Sequence, residues 1–390
     1  MKLPQFLRKT PLAWLQITRE KTRLLVALAG IGFADLLMFT QLGFKNGLYD
    51  ASVKPHYVLD TDLVLINPQF ETLFSVKDFS RAQMYQAAGV EGVKSVNAVY
   101  INMAQWRNPE TNMERTILLF AFDPTKPVFT LPEVNRHLGD LKMLNRVLYD
   151  QAGRTEFGPI AKLLESGKPV NVQLSKKEVQ VTAVFTLGAS FAADGNAITS
   201  DSTFFRIFDD RQPDRVDLAL IKVKPGANIQ DVRNRIQHIL PKDQIIVLTL
   251  EEFAAREKNY WANSTAIGFI FGLGTAVGFI VGIVIVYQIL YSDVSDHLPE
   301  YATLKAMGYG DFYLVKVLMQ EALILAVLGY IPGFIVSLGL YHMAAGATLL
   351  PIAMTGQRAI NVMILTIIMC TASGLVAMRR LTNADPADIF

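Results

Sequence analysis

Four long apolar runs divide the chain, and each is close to or above the roughly 20 residues that a helix needs to cross a bilayer. They predict membrane helices at residues 24–44, 264–291, 313–341 and 360–378. The first run has a basic front but is too long for a cleaved signal peptide, so we expect it to stay in the membrane as an anchor. Between the first two runs, residues 45–263 have an ordinary soluble pattern of polar and apolar positions.

This long middle segment predicts an α/β domain. Short β-rich runs such as 63–66 alternate with stretches of helical periodicity such as 229–240. Alternating elements of this length indicate a small mixed sheet with helices. Residues 129–214 hold a turn-rich piece, Ala193–Asn196, and are predicted to form an inserted subdomain. The expected fold class is therefore an α-helical membrane protein with four transmembrane helices and a large extracytoplasmic α/β domain between helices 1 and 2.

Basic residues beside the spans predict the orientation, because cytoplasmic flanks are rich in Lys and Arg. They are Lys2, Arg8, Lys9, Arg19, Lys21, Arg23, Arg379 and Arg380. Both termini, with an amphipathic helix in 1–23 and a tail at 379–390, should be cytoplasmic. So should the loop 292–312. The large domain and the short loop 342–359 should be extracytoplasmic.

Composition narrows the function classes. Charged residues make up 18% of the chain, below the soluble average of about 25%, which favours a membrane protein with a soluble part. A net charge of +2 gives no reason to expect nucleic-acid binding. The single cysteine, Cys370, excludes an internal disulfide and is interpreted as a small apolar residue.

No catalytic pattern stands out. The five histidines are scattered without metal-ligand spacing, and neither a nucleophile elbow nor a phosphate-binding loop occurs. We therefore predict a non-catalytic subunit with no metal or cofactor of its own. If ATP and Mg²⁺ drive it, another chain must bind them.

The second apolar run carries glycines in two rows at four-residue spacing. They are Gly268, Gly272, Gly274, Gly278 and Gly282. Each row forms a smooth groove that another helix can approach closely. We predict close helix packing, with self-pairing of two copies equally open; chance is the alternative, because glycine is common in membrane helices.

Ionisable residues also lie inside the spans. Asp35 is near the middle of the first, and Glu321 lies beside Gln320 in the third. Such groups are costly in a bilayer unless they face protein or water. We favour a hydrogen-bonded packing contact; a polar contact that changes with conformation, or a substrate path, stays open. Pro332 and its glycine neighbours predict a bend in the third span.

The segment between the second and third spans predicts a short amphipathic helix. Pro299 suits its first turn, Tyr301, Leu304 and Met307 recur at three-residue spacing, and Gly308 can end it. Such a helix could transmit the motion of a separate ATPase. It could equally lie on lipid.

The sequence Glu300-Tyr-Ala-Thr-Leu-Lys-Ala-Met-Gly308 resembles the E-x-x-x-L-[KR]-A-x-G coupling segment of FtsX/MacB-type permeases, the type VII ABC permeases. Thr303 and Lys305 fall within it. Four flanking stretches resemble the cyanobacterial DevC branch. They are Tyr260–Phe271, Val286–Val294, Gln320–Leu325 and Ala384–Phe390.

This resemblance implies an inner-membrane permease that works as a homodimer with two DevA-like ATPase subunits. A DevB-like periplasmic membrane-fusion adaptor would dock on the large domain, and a TolC-like channel would complete a tripartite efflux route. The mode implied is mechanotransmission, in which ATP-driven motion works the periplasmic domain. The cargo implied is hydrophobic, with glycolipid as the associated class.

Two alternatives share this topology. One is an FtsX-like transducer that regulates a cell-envelope partner; the size of the extracytoplasmic domain argues against it. The other is a lipoprotein-releasing permease, which would work with a periplasmic chaperone. A membrane-anchored enzyme is disfavoured because no site residues were found.

Overall fold

The structure is a computed structural model that describes residues 13–14, 19–190 and 193–383. Within its helices, the side chains of residues 301–302, 305–306, 311 and 379–383 are not described. Most of the predicted N-terminal helix in 1–23 lies outside the described residues, as does the chain end 384–390. The side chains of Tyr301 and Lys305 also lie outside them.

The chain divides into two compact units. One contains the residues up to Asn46, Ile267–Thr348 and the chain from Ile352 onward. The other contains Gly47–Ala266 and Leu349–Pro351. The described helices, in chain order, are α1 (Lys21–Tyr57), α2 (Arg81–Ala88), α3 (Pro132–Arg136), α4 (Leu138–Leu141), α5 (Ile160–Glu165), α6 (Asp201–Ile207), α7 (Ile229–Ile239), α8 (Leu250–Asn259), α9 (Ala266–Asp296), α10 (Leu298–Ala306), α11 (Asp311–Thr348) and α12 (Gly356–Asn383). A 3₁₀ turn covers Thr155–Phe157, and a π-helical turn covers Tyr260–Ser264.

The helices α1, α9, α11 and α12 are each long and apolar enough to cross a membrane. The helix α11 continues to Thr348, so the first seven residues of the predicted loop 342–359 are helical and the connection shortens to 349–355. This difference follows from residues 342–348, where three alanines favour helix. Pro332 lies inside this continuous helix rather than at its end.

Glycines bring α1 and α11 into close contact. A Cβ added at Gly329 would lie 2.6 Å from Ile31 Cβ, and one added at Gly333 would lie 2.8 Å from Asp35 Cβ. On the α1 side, a Cβ at Gly32 would lie 3.3 Å from the Gly333 nitrogen. The glycines beside Pro332, which we interpreted as part of a bend, therefore act as a packing surface for α1.

The second unit is built on a nine-stranded sheet in the order β11-β1-β10-β3-β4-β8-β5-β7-β6, beside a two-stranded sheet of β2 and β9. The strands are β1 (Leu63–Ile66), β2 (Phe79–Ser80), β3 (Val93–Arg107), β4 (Glu114–Phe122), β5 (Arg146–Asp150), β6 (Val170–Leu174), β7 (Lys177–Phe185), β8 (Asn196–Ser200), β9 (Arg215–Val216), β10 (Leu218–Val223) and β11 (Ile246–Thr249). Most neighbours are antiparallel; β4 with β8 and β5 with β7 are parallel.

The long strand β3 bends the sheet back on itself. Its far end pairs with β6 through Trp106 opposite Leu174, so β3, β4, β8, β5, β7 and β6 form a closed ring. Buried Trp106, Tyr149 and Phe157 pack their rings together inside this core. Strands β5 to β8 fall within 129–214, so the stretch predicted as an insertion is built into the common sheet and core. Its boundaries stay a prediction.

Candidate functional site

The connection between α9 and α11 contains α10, the helix that the sequence predicted between the second and third spans. Pro299 lies in its first turn, where the carbonyl accepts a hydrogen bond from Thr303 Oγ1 at 2.9 Å. Gly308 follows the helix with φ +92°, a backbone conformation that residues with a side chain rarely adopt. The Tyr309 nitrogen then donates to the Leu304 carbonyl at 3.1 Å, which satisfies the helix end. The local sequence thus defines both ends of a short, rigid helix.

The apolar residues of this segment divide between two environments. Leu298 and Leu304 are half-buried and pack against the apolar core of the helical unit. Met307, Tyr309 and Phe312 instead expose 63%, 46% and 83% of their surface. Met307 was predicted to share the face of Leu304, and the structure places it on the exposed side. Leu304 therefore anchors the helix, and the exposed residues form an apolar surface that a partner could cover.

Charged residues connect α1 to the end of α9 immediately before α10. The Arg23 guanidinium lies 3.4 Å from Asp293 Oδ1 and also pairs with Asp296 and with Glu20. The Arg23 side chain is about a quarter exposed, and that of Asp293 only 7%. His297 Nδ1 lies 3.0 Å from the Asp293 carbonyl oxygen. The base of α10 is therefore held to α1 by ion pairs that are partly shielded from water.

Glu321 joins this cluster from α11. It is 2% exposed and Asp293 is 5% exposed, and their carboxyl groups are within hydrogen-bonding reach of each other. Among the described residues, Glu321 Oε2 and Asp293 Oδ2 find no donor. A small cavity lined by Arg23, Asp293 and Glu321 lies between the three helices. Two carboxyl groups can hydrogen-bond to each other only through a shared proton, so this arrangement is sensitive to how the three helices are spaced.

The remaining intramembrane polar residues lie elsewhere. Asp35 is fully buried, and its Oδ1 accepts a hydrogen bond of 2.5 Å from Thr366 Oγ1 on α12. Its other oxygen has no partner among the described residues. Gln320, beside Glu321, is half-buried. The structure therefore does not bring Asp35 and Glu321 into one site.

The two glycine rows have different surroundings. A Cβ added at Gly274 would meet Gln41, one at Gly278 would lie 3.2 Å from Leu37 Cβ, and one at Gly282 would meet Met369. This row packs inside the unit, against α1 and α12. Around Gly272 of the other row nothing lies within 4 Å, and no contact of Gly268 is described. Among the described glycines of the two rows, Gly272 has open surroundings, and self-pairing of two copies through that row stays a prediction.

Sequence reasoning missed the roles of Arg23, Asp293 and His297. Arg23 was used only for orientation, and Asp293 was placed in the cytoplasmic loop 292–312 without a role. The available signal was position: Arg23 opens the first apolar run, while Asp293 closes the second. If helices 1 and 2 pack antiparallel, such residues lie at the same end of the bundle.

The described part of the large domain also contains buried titratable groups. Burial raises the pKa of Asp217, which also accepts a hydrogen bond of 2.8 Å from the Ile101 nitrogen and pairs with Arg211 at 2.5 Å. Burial also raises the pKa of Tyr100 to about 12. Within the described ranges, no group of three or more His, Cys, Asp or Glu is arranged to hold a metal ion.

Residues 265–386 match a family model described as FtsX-like permease C-terminal. No curated protein sequence matches the chain. Among solved structures, the extracellular domain of the noncanonic ABC-type transporter YknZ from Gram-positive bacteria aligns at 16% identity over 48% of this chain and 99% of its own, with a TM-score of 0.33.

The periplasmic region of MacB from Actinobacillus actinomycetemcomitans aligns at 11% identity over 52% of this chain and 94% of its own, with a TM-score of 0.32. A domain of a putative permease protein from Porphyromonas gingivalis aligns at 11% identity over 49% and 89%, with a TM-score of 0.31. The part of the chain from α9 to α12, which contains α10 and the ion pairs at its base, is similar to FtsX-like permease C-terminal domains.

Proposed function

We propose that this chain is the permease subunit of an ABC transporter of the MacB/FtsX kind, and that α10 is the helix that couples it to a separate ATPase. The proposal rests on the structure of α10, which lies within a segment similar to FtsX-like permeases. The helix ends at Gly308 and packs against the apolar core of the helical unit through Leu304. The ion pairs of Arg23 hold the chain at its base.

The geometry suggests how the helix would transmit motion. An ATPase that contacts Glu300 and the exposed Met307 would push on a body that cannot slide freely, since Leu304 is fixed in the helical core. Displacement of α10 would then pull on Asp293 and Asp296. The ion pairs of these two residues reach Arg23 on α1, and the carboxyl pair of Asp293 reaches Glu321 on α11. Three helices would respond together.

The finer proposal follows the DevC resemblance. Two copies of this chain would pair with two DevA-like ATPase subunits, which bind ATP and Mg²⁺, while a DevB-like adaptor docks on the large domain and a TolC-like channel follows. This complex would export a hydrophobic cargo such as a glycolipid by mechanotransmission. The termini and α10 would be cytoplasmic, and the large domain periplasmic.

The first test identifies the proteins that bind this chain. We would isolate the tagged full-length chain in mild detergent and identify co-purifying proteins by mass spectrometry. An ATPase together with a membrane-fusion adaptor supports export. An ATPase with a cell-wall hydrolase, or with a lipoprotein chaperone, keeps the coupling role but replaces export by the transducer or the lipoprotein-releasing function. No ATPase in any detergent condition would refute the permease proposal.

A second test addresses orientation. A cysteine at exposed Thr303 should react only with reagents that reach the cytoplasm, and one at exposed Met143 only with reagents outside. Met143 is preferred to Gly195, because a side chain at Gly195 would lie 2.8 Å from the Phe157 ring. The opposite labelling pattern would overturn the topology.

A further inference from the structure

The chain leaves the sheet domain through a junction, residues 257–265, in which a regular α-helix gives way to an irregular backbone. The helix α8 ends at Asn259, a π-helical turn covers Tyr260–Ser264, and Thr265 is extended with φ −121° and ψ 160° before α9 begins. The helix α8 is therefore not continuous with α9, because the backbone is extended at Thr265. π-Helical turns are uncommon and often occur at functional sites.

One buried carboxylate fastens this junction. Glu257 is fully buried, and its Oε1 accepts a hydrogen bond of 2.8 Å from Trp261 Nε1 inside the π-helical turn. Its Oε2 accepts one of 2.9 Å from the Leu73 nitrogen, in the loop that follows β1. Glu257 thus ties the turn to the body of the domain. If the turn moves away, the carboxylate loses its indole donor and water can reach it.

The other charged groups around Glu257 are already engaged. Arg256 donates to the carbonyls of Phe70 and Pro68 at 2.9 and 2.6 Å, and Lys258 pairs with Asp50 at 3.0 Å. The titratable group that faces Glu257 is His56, from the end of α1. Its Nε2 lies 3.7 Å from Glu257 Oε2, beyond hydrogen-bonding distance, and the residue is fully buried.

We propose that the junction is a hinge, that Glu257 holds its closed state, and that the pH around the domain sets the balance between closed and open. The closed state is the one described above. In the open state the π-helical turn separates from the Leu73 loop and water reaches Glu257. The proposal concerns the domain alone and does not rest on the transporter function.

The direction of the pH effect follows from proton linkage. Burial raises the pKa of Glu257 to about 7 in the closed state, although the hydrogen bonds from Trp261 and Leu73 favour the charged form. A solvated glutamate titrates near 4.5. The closed state therefore binds the proton more tightly, so acid favours closure and rising pH favours opening. With these two pKa values of Glu257, the open-to-closed ratio rises about tenfold between pH 6 and pH 8.

The experiment measures this ratio on the full-length chain in lipid nanodiscs. Nitroxide labels go on cysteines at exposed Glu71, beside the Leu73 loop, and at exposed Asn263, in the π-helical turn. Buried Cys370 is replaced by alanine in every variant. Electron–electron distance measurements then resolve closed and open populations. We expect a second, longer distance whose share grows about tenfold relative to the first between pH 6 and pH 8.

Three variants assign the effect. Glu257→Gln should give the same ratio at both pH values, because its side chain cannot ionise. His56→Gln should keep the pH dependence. Trp261→Phe removes the indole donor and keeps most of the ring, and should raise the open population at both pH values by about tenfold or more.

Each outcome tests one part of the proposal. An unchanged distance distribution at pH 6 and pH 8 in the otherwise native chain would overturn the hinge. A pH response that survives in Glu257→Gln, or that vanishes in His56→Gln, would overturn the assignment to Glu257. If Glu257→Gln does not fold, Trp261→Phe supplies the test: an open population no larger than in the native chain refutes the role of the Glu257–Trp261 bond.

Discussion

Removal of Arg23 should destabilise the helical unit through its effect on Asp293. The Arg23 side chain is about a quarter exposed and lies 3.4 Å from a carboxylate whose own side chain is 7% exposed. At that distance and an effective dielectric constant near 20, the attraction is about 5 kcal/mol before desolvation is subtracted. Truncation of one partner of a buried pair typically costs about 3–5 kcal/mol. Because Arg23 is partly exposed, we expect Arg23→Ala to cost about 3 kcal/mol.

The assay is a double-mutant cycle. Arg23→Ala, Asp293→Asn and the double variant are unfolded reversibly in mixed micelles, and the free energy of unfolding is compared with that of the native chain. If the cost arises from an unpaired buried carboxylate, Asp293→Asn in the Arg23→Ala background should recover most of it. Asp296→Asn is the matched control: Asp296 is half exposed and pairs with the same arginine, so its removal should recover about 1 kcal/mol or less.

Two outcomes would contradict this reasoning. If Arg23→Ala changes the free energy of unfolding by less than about 1 kcal/mol, the ion pair behaves as an exposed one. If the double variant is as unstable as the sum of the two single variants, Arg23 does not act through Asp293. Either result would also weaken the proposed path of motion from α10 to α1.

The remaining predictions concern the glycines and α10. Gly282→Leu should lower the folded yield, because its side chain would meet Met369. Gly272→Leu should leave the yield unchanged and weaken self-association if that row pairs two copies. Leu304→Ala should reduce ATPase stimulation in the assembled complex without loss of insertion; Met343→Ala, which shortens an exposed apolar side chain on α11, should not reduce it. Gly308→Ala should destabilise the unit by about 1 kcal/mol, measured by thermal unfolding, because φ there is +92°.

Several features could be predicted because their causes are local in sequence. A hydrophobic run long enough to span a bilayer is readable directly; α1, α11 and α12 each contain a predicted run, and α9 covers all but the first two residues of the run 264–291. The same holds for α10, whose proline start and glycine end lie nine residues apart, at 299 and 308. The α/β character of the large domain also followed from short alternating runs.

Other features depend on contacts between distant residues. The pairing of β3 with β6, which closes the ring, joins Trp106 to Leu174, and nothing local marks either residue as a partner. Likewise, four-residue glycine spacing predicts a groove but not its occupant. The Gly274/Gly278/Gly282 row packs inside the chain, whereas the surroundings of Gly272 are open. A single sequence cannot distinguish these two cases, because both rows satisfy the same spacing rule.

The buried carboxyl groups at the base of α10 and at the junction differ in the charges that surround them. At the base of α10, the buried carboxyl groups of Asp293 and Glu321 face each other, and Arg23 pairs with Asp293 at 3.4 Å. At the junction, Glu257 is buried with hydrogen-bond donors but without a paired cation, so burial dominates and its pKa rises to about 7. The first arrangement resists separation of its helices as long as the ion pair persists. The second is close to balance between its charged and neutral forms at neutral pH. We therefore expect the junction to open more readily than the ion-paired base of α10, which the distance measurement at two pH values and the Arg23 double-mutant cycle test separately.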